Sequence, residues 1–235
     1  MTAAPFAGEV VDAAAAHALG KDYVRAVAKV VTSHVRNELA GAAAFDEPAI
    51  ALAPGPKEKW LACRIAMEEY GHHLKFQRLA SELGIEDTGS RALSVFDYQL
   101  SSWAEFVVLK ALVDLAEVVL MEELLATSYL PLRNLVAKLL PEEHFHVSFG
   151  KAHTREMLTD PTTAAQVQDA IDDLVRFTVP FFGRSVSANN ETFRHWGVKH
   201  RTNDEARGEW AGRCRDFVEG ELGLQFPEVA PHWNE

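Results

Sequence analysis

The sequence lacks most of the features that mark secreted, membrane-spanning and zinc-stabilised proteins. Its two cysteines, Cys63 and Cys214, belong to no Cys-x-x-Cys or Cys/His cluster, which argues against a disulfide framework and structural zinc and predicts reduced thiols. No apolar run reaches the roughly 20 residues that a membrane span needs. Residues 1–20 carry Glu9 and Asp12 and no Lys or Arg ahead of their apolar residues, so they make a poor signal peptide. We therefore expect a cytoplasmic protein.

Positive charge is scarce as well. The 23 Lys and Arg side chains stand against 34 Asp and Glu, so the formal net charge is −11. A protein this acidic lacks the basic surface that bare nucleic acid requires. One stretch is an exception, because between Arg184 and Arg215 seven basic residues stand against four acids. Such a stretch either docks an anionic group or forms an ordinary solvated surface.

No convincing β-strand, internal repeat or Gly-rich phosphate loop is present, so the sequence predicts an all-α protein. Apolar residues recur at helical spacing in six segments, and the third segment is apolar almost all the way round, as in a fully buried helix. We expect 45–56 to be a loop, 91–102 to be irregular, Pro141 to kink or break its helix, and Asn203 to cap the last helix. The six predicted helices span about 21–44, 56–84, 103–128, 131–158, 163–182 and 203–222.

Two of these helices carry the same Glu-x-x-His spelling, at Glu69 to His72 and at Glu143 to His146. Residues three apart on a helix lie on one face, with Cβ atoms roughly 5–6 Å apart, so each pair can aim a carboxylate and an imidazole at one point. Both pairs occupy core positions of their apolar stripes. They therefore predict the two halves of one buried metal site. Gly71, inside the first motif, is expected to make room for a close helix or a ligand.

Two further carboxylates lie in apolar surroundings on the first and third helices. Glu38 belongs to the apolar stripe of the first helix, and Asp114 and Glu117 lie one turn apart in the most apolar part of the third. We favour Glu117 as the ligand from the third helix, with Asp114 as the alternative. Buried carboxylates need a strong cation. The competing interpretation is that salt bridges to the nearby basic side chains compensate them; these are His34, Arg64 and Lys110.

A four-helix bundle with two Glu-x-x-His pairs and one acid from each of the other helices is the ferritin-like di-iron arrangement. The sequence thus predicts one ferritin-like domain over 1–235, with a core bundle at about 21–158 and a helical extension at about 163–235. Carboxylates with a few imidazoles suit iron, and manganese is the alternative. We expect two iron ions on six ligands, which are Glu38, Glu69, His72, Glu117 (or Asp114), Glu143 and His146.

Four segments also resemble a known family. Residues 68–73 read Glu-Glu-Tyr-Gly-His-His, 142–150 read Glu-Glu-His-Phe-His-Val-Ser-Phe-Gly, and 196–207 read Trp-Gly-Val-Lys-His-Arg-Thr-Asn-Asp-Glu-Ala-Arg. Together with the closing 233–235, Trp-Asn-Glu, they resemble the catalytic subunits of the phenylacetyl-CoA epoxidase family. The resemblance covers about 38–235, and the third segment is the most discriminating because generic ferritin-like proteins have no reason to share it.

The resemblance implies a di-iron monooxygenase that activates dioxygen and epoxidises or hydroxylates an aromatic or related substrate, with a CoA thioester as a candidate. It implies electrons from a separate reductase, and a partner that is either a second copy in a homo-oligomer or a related scaffold subunit. Lys199, Arg201 and Arg207 are then candidate contacts for the thioester phosphates. The alternatives are a metal-free scaffold subunit of such an oxygenase and a ferritin-like di-iron oxidase or iron-handling protein.

Overall fold

The computed structural model describes residues 6–85 and 94–234. Within these residues the chain is all-α, and the only strand-like pairing is an isolated bridge between Val10 and Tyr129. The helices are α1 (Ala13–Leu19), α2 (Lys21–Gly41), α3 (Glu47–Leu52), α4 (Pro56–Glu82), α5 (Trp103–Leu124), α6 (Leu130–Met157), α7 (Pro161–Thr178), α8 (Ala188–His195) and α9 (Asn203–Arg215). Among them, none combines the length and apolar composition that crossing a bilayer requires.

The bundle is a ferritin-like arrangement built from α2, α4, α5 and α6. Helix α5 packs along α6, α2 packs along α4, and α4 also meets α6. Helices α7 and α9 cover the remaining side of α5, so that helix is enclosed on all sides and nearly all of its side chains are buried. This burial confirms the prediction made from its apolar circumference and places Asp114 inside the protein.

The predicted loop at 45–56 is wrong for most of its length. The chain leaves α2 through a π-helical turn, Ala42–Asp46, and continues as α3, Glu47–Leu52. Pro48 lies in the first turn of α3, where a missing backbone N–H breaks no helical hydrogen bond, so this proline starts a helix rather than ending one. The π turn directs Asp46 into the core, where it is almost completely buried.

Other local predictions have mixed outcomes. Helix α6 runs through Pro141 without the predicted break. Thr202, rather than Asn203, caps α9, because its side chain and that of Glu205 form a reciprocal capping box. The predicted irregular segment 91–102 lies partly outside the described residues; its described part contains the 3₁₀ turn Ser94–Asp97.

The close contact of α5 and α6 depends on Gly150. A Cβ atom at this position would lie 2.3 Å from the backbone N of Ala111 and 2.6 Å from the carbonyl carbon of Lys110. At Gly71, by contrast, an added Cβ would meet no described heavy atom within 4 Å, so this glycine makes no room for a neighbouring helix. The glycine that permits close approach is therefore on α6 and not in the first Glu-x-x-His motif.

We expect Gly150→Ala to destabilise the protein by on the order of 3 kcal/mol, because the added methyl group collides with backbone that cannot move aside. Thermal unfolding should show a midpoint lowered by roughly 5–10 °C. Gly208→Ala on α9 is the matched control, since its Cβ would meet open space, and it should leave the midpoint unchanged or raise it slightly. An unchanged midpoint for Gly150→Ala would contradict the close packing.

Candidate metal centre

The four bundle helices bring six side chains together in two overlapping groups. Glu38, Glu69, His72 and Glu143 each offer a ligand atom within 4.8 Å of the others, and so do Glu69, Asp114, Glu143 and His146. Each group could hold one metal ion, and Glu69 and Glu143 belong to both. The two imidazole rings lie 6.1 Å apart between their centroids. Shared carboxylates are the groups that allow two metal ions to sit side by side.

Both histidines are oriented by a carboxylate on the opposite helix. His72 on α4 turns its Nε2 to Glu142 of α6 at 2.7 Å, and His146 on α6 turns its Nε2 to Glu68 of α4 at 2.9 Å. Each Nδ1 is left facing the interior. Such outer partners fix the ring orientation and the tautomer of a metal-binding histidine. Sequence reasoning missed both, although each motif reads Glu-Glu-x-x-His and the doubled Glu is the signal.

The hydrogen bonding of the inward-facing nitrogen and oxygen atoms shows whether the two groups could bind a cation. Nδ1 of His72 and Oε1 of Glu143 lie 2.8 Å apart, yet neither atom makes a hydrogen bond. Buried polar atoms without a hydrogen bond are costly. Five such atoms converge on the two groups, although each lies within ion-pair distance of an oppositely charged group. A metal ion would bind these five atoms directly; they are Glu38 Oε1, His72 Nδ1, Asp114 Oδ2, Glu143 Oε1 and His146 Nδ1.

Lys110 is a cation already present beside the second group. Its buried ammonium lies 2.7 Å from Asp46, 3.1 Å from Asp114 and 3.2 Å from Glu69. The competing interpretation therefore holds for this lysine. Its single charge is shared among three carboxylates, Asp46, Glu69 and Asp114, so most of the negative charge of the four carboxylates of the two groups stays uncompensated. Two divalent ions would neutralise those four charges.

Proton binding in the metal-free centre reflects the same excess of acid. Burial raises the pKa of Glu38 to about 7 and that of Asp46 to about 6. Burial alone would lower the pKa of His72 and of His146, but the surrounding carboxylates raise both well above the ordinary value. At neutral pH the metal-free centre therefore holds protons where metal ions would otherwise provide the positive charge.

The structure places Glu117 apart from the two groups. Its carboxylate lies 2.9 Å from Nδ1 of His34, which is itself 3.8 Å from Glu38. Burial lowers the pKa of His34, but Glu117 raises it more, to about 9. Asp114, one turn earlier on α5, is the residue that joins Glu69, Glu143 and His146. The favoured ligand of the third helix thus lies in a neighbouring third group, and the alternative lies in the centre.

The three candidate phosphate contacts in the 184–215 stretch have different surroundings. Lys199 is half-buried and lines a surface cavity with His34 and Glu117. Arg201 pairs with Glu209 at 2.5 Å. Arg207 is buried, pairs with Asp204 and donates to the carbonyl of Gly183, so its guanidinium has no surface on which to meet an external phosphate.

Two cavities approach the centre and share part of their walls. The inner one, of about 50 Å³, reaches Glu38, Glu69 and Asp114, and Phe45 and Phe96 form the aromatic part of its wall. The outer one, of about 390 Å³, opens on the surface and has three Lys or Arg side chains in its wall, Lys29, Arg36 and Lys199. The residues common to both are Asn37, Glu117 and Phe181.

Substitution of the two α5 acids separates their roles. We expect Asp114→Asn to lose one of two bound ions, because it removes a ligand of the second group, and Glu117→Gln to keep both, because it changes the His34 pair. Metal content by plasma emission after anaerobic ferrous loading measures the difference. Retention of both ions by Asp114→Asn with loss in Glu117→Gln would reverse the assignment.

Metal affinity should rise with pH. Ions must displace the protons held on Glu38, His72 and His146, whose pKa values are all raised, so binding releases protons. Each proton released strengthens binding about tenfold per pH unit near neutrality. Titration calorimetry with Mn²⁺ in two buffers of different ionisation enthalpy counts the protons. An affinity that does not change between about pH 6 and pH 8 would contradict this description of the centre.

Two comparisons with known proteins gave a match for this chain. The model of a family described as phenylacetic acid catabolic protein matches residues 1–235. One subunit of the 1,2-phenylacetyl-CoA epoxidase of Escherichia coli (strain K12) is 28% identical over 224 residues, which cover 90% of this chain and 72% of the relative. Because the family match spans the whole chain, it does not depend on the modest identity to one relative. The chain therefore belongs to the phenylacetic acid catabolic protein family.

Proposed function

We propose that this chain is the oxygen-activating subunit of a monooxygenase that epoxidises or hydroxylates an aromatic or related substrate. The observation that carries the proposal is the pair of buried ligand groups sharing Glu69 and Glu143. The family of this chain also supports the proposal, because one relative is a subunit of an epoxidase. We assign two iron ions to the centre, with manganese as the alternative, since carboxylate oxygens with few imidazoles suit both metals.

Each of the two ions would have its own ligands and would share two others. Glu38 and His72 would hold one, Asp114 and His146 the other, and Glu69 and Glu143 would lie between them. Bound at these residues, reduced iron would supply the redox chemistry with dioxygen that no side chain provides. Lys110 donates to Oε1 of Glu69 and restrains it. The apolar residues around the centre keep bulk water away from the reacting atoms.

The two neighbouring cavities suit a substrate with an aromatic end and an anionic end. Phe45, Phe96 and Phe181 contribute aromatic surface to the inner cavity, beside the centre. The outer cavity adds the positive charge of Lys29 and Lys199. An aromatic acyl group would lie inside and the phosphates of a CoA thioester would lie outside. Lys199 remains a proposed phosphate contact, and Arg207 does not.

The reaction requires a partner that donates electrons. Substrate, dioxygen, two electrons and two protons give the oxygenated product and water. The chain cannot store these electrons in an iron–sulfur cluster, because its two cysteines are not grouped for ligation. A separate reductase is therefore part of the proposal. The name of the relative, which is one component of an epoxidase, supports further partner subunits.

Product analysis tests the proposed function. The iron-loaded protein, supplied with a reductase, ¹⁸O₂ and phenylacetyl-CoA, should form a product that carries one ¹⁸O atom. The Glu69→Ala, Glu143→Ala double variant should form none. An iron-free wild type after anaerobic ferrous loading would instead favour a metal-free scaffold subunit, for which the Lys110 pairs are the supporting observation. Iron oxidation without any oxygenated product would favour an iron-handling protein.

We expect Lys199→Ala to raise KM for a CoA thioester about tenfold, because one buried or cavity-lining charge contact to a phosphate contributes about 1.4 kcal/mol. Iron content and kcat should not change, since Lys199 contacts no proposed ligand. Steady-state kinetics measure both constants. Lys138→Ala, on the exposed surface of α6, is the control and should behave like the wild type. An unchanged KM in Lys199→Ala would remove the phosphate assignment.

A further inference from the structure

The outer cavity has one part of its wall outside the four-helix bundle. Phe181, Asn189 and Phe193 line this cavity, and all three belong to residues 181–193, which we call the wall segment. The wall segment contains the turn after α7 and helix α8. Helix α2 lines the same cavity, and its Lys29 donates to the side chain of Asn189 at 2.5 Å. Because Phe181 also lines the inner cavity, the position of the wall segment affects the shape of both cavities.

Side chains at the start of α9 hold the first turn of the wall segment. Three consecutive residues take part: Gly183 accepts from Arg207 at 2.6 Å, Arg184 accepts from Asn203 at 2.8 Å, and Ser185 donates to Asp204 at 2.6 Å. A Cβ atom at Gly183, where φ is +81°, would lie 2.9 Å from the side-chain nitrogen of Asn203. Farther along, Asn190 of α8 donates to the carbonyl of Arg201 at 3.0 Å, so the wall segment is attached at two places.

Stability alone does not explain why Arg207 is buried here. Its ion pair with Asp204 joins two residues of the same helix at 2.7 Å, and its Nε makes no hydrogen bond. Burying such a pair costs desolvation energy that the attraction between the charges often fails to offset. The contacts that an apolar side chain could not replace are those with the carbonyls of Gly183 and Pro231, which lie outside α9.

A further segment, 231–234, holds the same turn. The backbone of Trp233 accepts from the N–H of Ser185 at 2.7 Å and donates to the hydroxyl of Ser185 at 2.7 Å. His232 contacts the second carboxylate oxygen of Asp204, also at 2.7 Å. Asp204 thus links three segments, because α9, the wall segment and 231–234 all meet at its carboxylate.

We propose that Asp204 and Arg207 are positioning residues for the substrate cavity. They hold the wall segment against α9, and the wall segment in turn places Phe181 and Phe193 in the wall of the outer cavity. Neither Asp204 nor Arg207 lines the inner or the outer cavity. The inference rests on the proposed function, because it takes the outer cavity as a place of the substrate. It gives the segment 196–207 a role that the metal centre does not explain.

Kinetics of the iron-loaded protein with its reductase test the positioning role. Arg207→Met should raise KM for phenylacetyl-CoA about tenfold, because a displaced wall segment holds the substrate poorly. Its kcat and iron content should not change, since no metal ligand is affected. Arg133→Met is the matched control, because Arg133 also donates to a backbone carbonyl, that of Thr127, and to a carboxylate, that of Glu9, and neither partner lines the two cavities. A similar rise of KM in both variants would indicate a general loss of stability and would overturn the inference.

Hydrogen exchange measures the attachment without any substrate. Ser185→Ala is the milder variant, because it removes the hydroxyl between Asp204 and Trp233 and leaves the buried charge pair in place. Backbone amides of the wall segment should exchange faster in Ser185→Ala and in Arg207→Met than in the wild type, and at the wild-type rate in Arg133→Met. Unchanged exchange in Ser185→Ala and Arg207→Met, or an unchanged KM in Arg207→Met, overturns the inference alone. A wild type that converts no phenylacetyl-CoA contradicts the proposed function, and the positioning role falls with it.

Discussion

The free-energy cost of burying carboxylates is the constraint on which the rest of the structure depends. Glu38, Glu69, Asp114 and Glu143 lie inside a bundle whose other residues are mostly apolar. An uncompensated buried charge costs several kcal/mol, so the bundle is stable only with cations among these groups. Protons on the carboxyls and imidazoles, together with Lys110, provide positive charge in the metal-free protein. Two divalent ions would provide it while also using the atoms that make no hydrogen bond.

The remaining architecture positions these groups. Helices α4 and α6 hold each other's histidine through Glu68 and Glu142, so neither ring can turn without breaking a hydrogen bond to the opposite helix. Gly150 lets α5 approach α6, and this contact brings the Asp114 turn to His146. The hydrogen bonds between α4 and α6 and the close packing of α5 on α6 therefore fix the positions of the side chains in the centre.

Much of the fold followed from helical periodicity, but one part of the site did not. The buried positions of Glu38, Glu69 and Glu143 could be predicted because each lies in an apolar stripe that defines an inward face. Helix α5 is apolar on every side, so its pattern defines no inward face and cannot distinguish Asp114 from Glu117. Asp46 was missed because Pro48 suggested a loop, whereas the π turn carries Asp46 into the core. Helical periodicity therefore predicts neither the choice between Asp114 and Glu117 nor the buried position of Asp46.

The most direct measurement is anomalous X-ray scattering at the iron edge from crystals of the iron-loaded protein. We expect two peaks inside the bundle, one beside Nδ1 of His72 and one beside Nδ1 of His146, with Glu69 and Glu143 between them. A single peak would mean that Lys110 keeps its place in the second group at the expense of an ion. Absence of any peak at these histidines would contradict the central claim that the buried acids form a dinuclear metal centre.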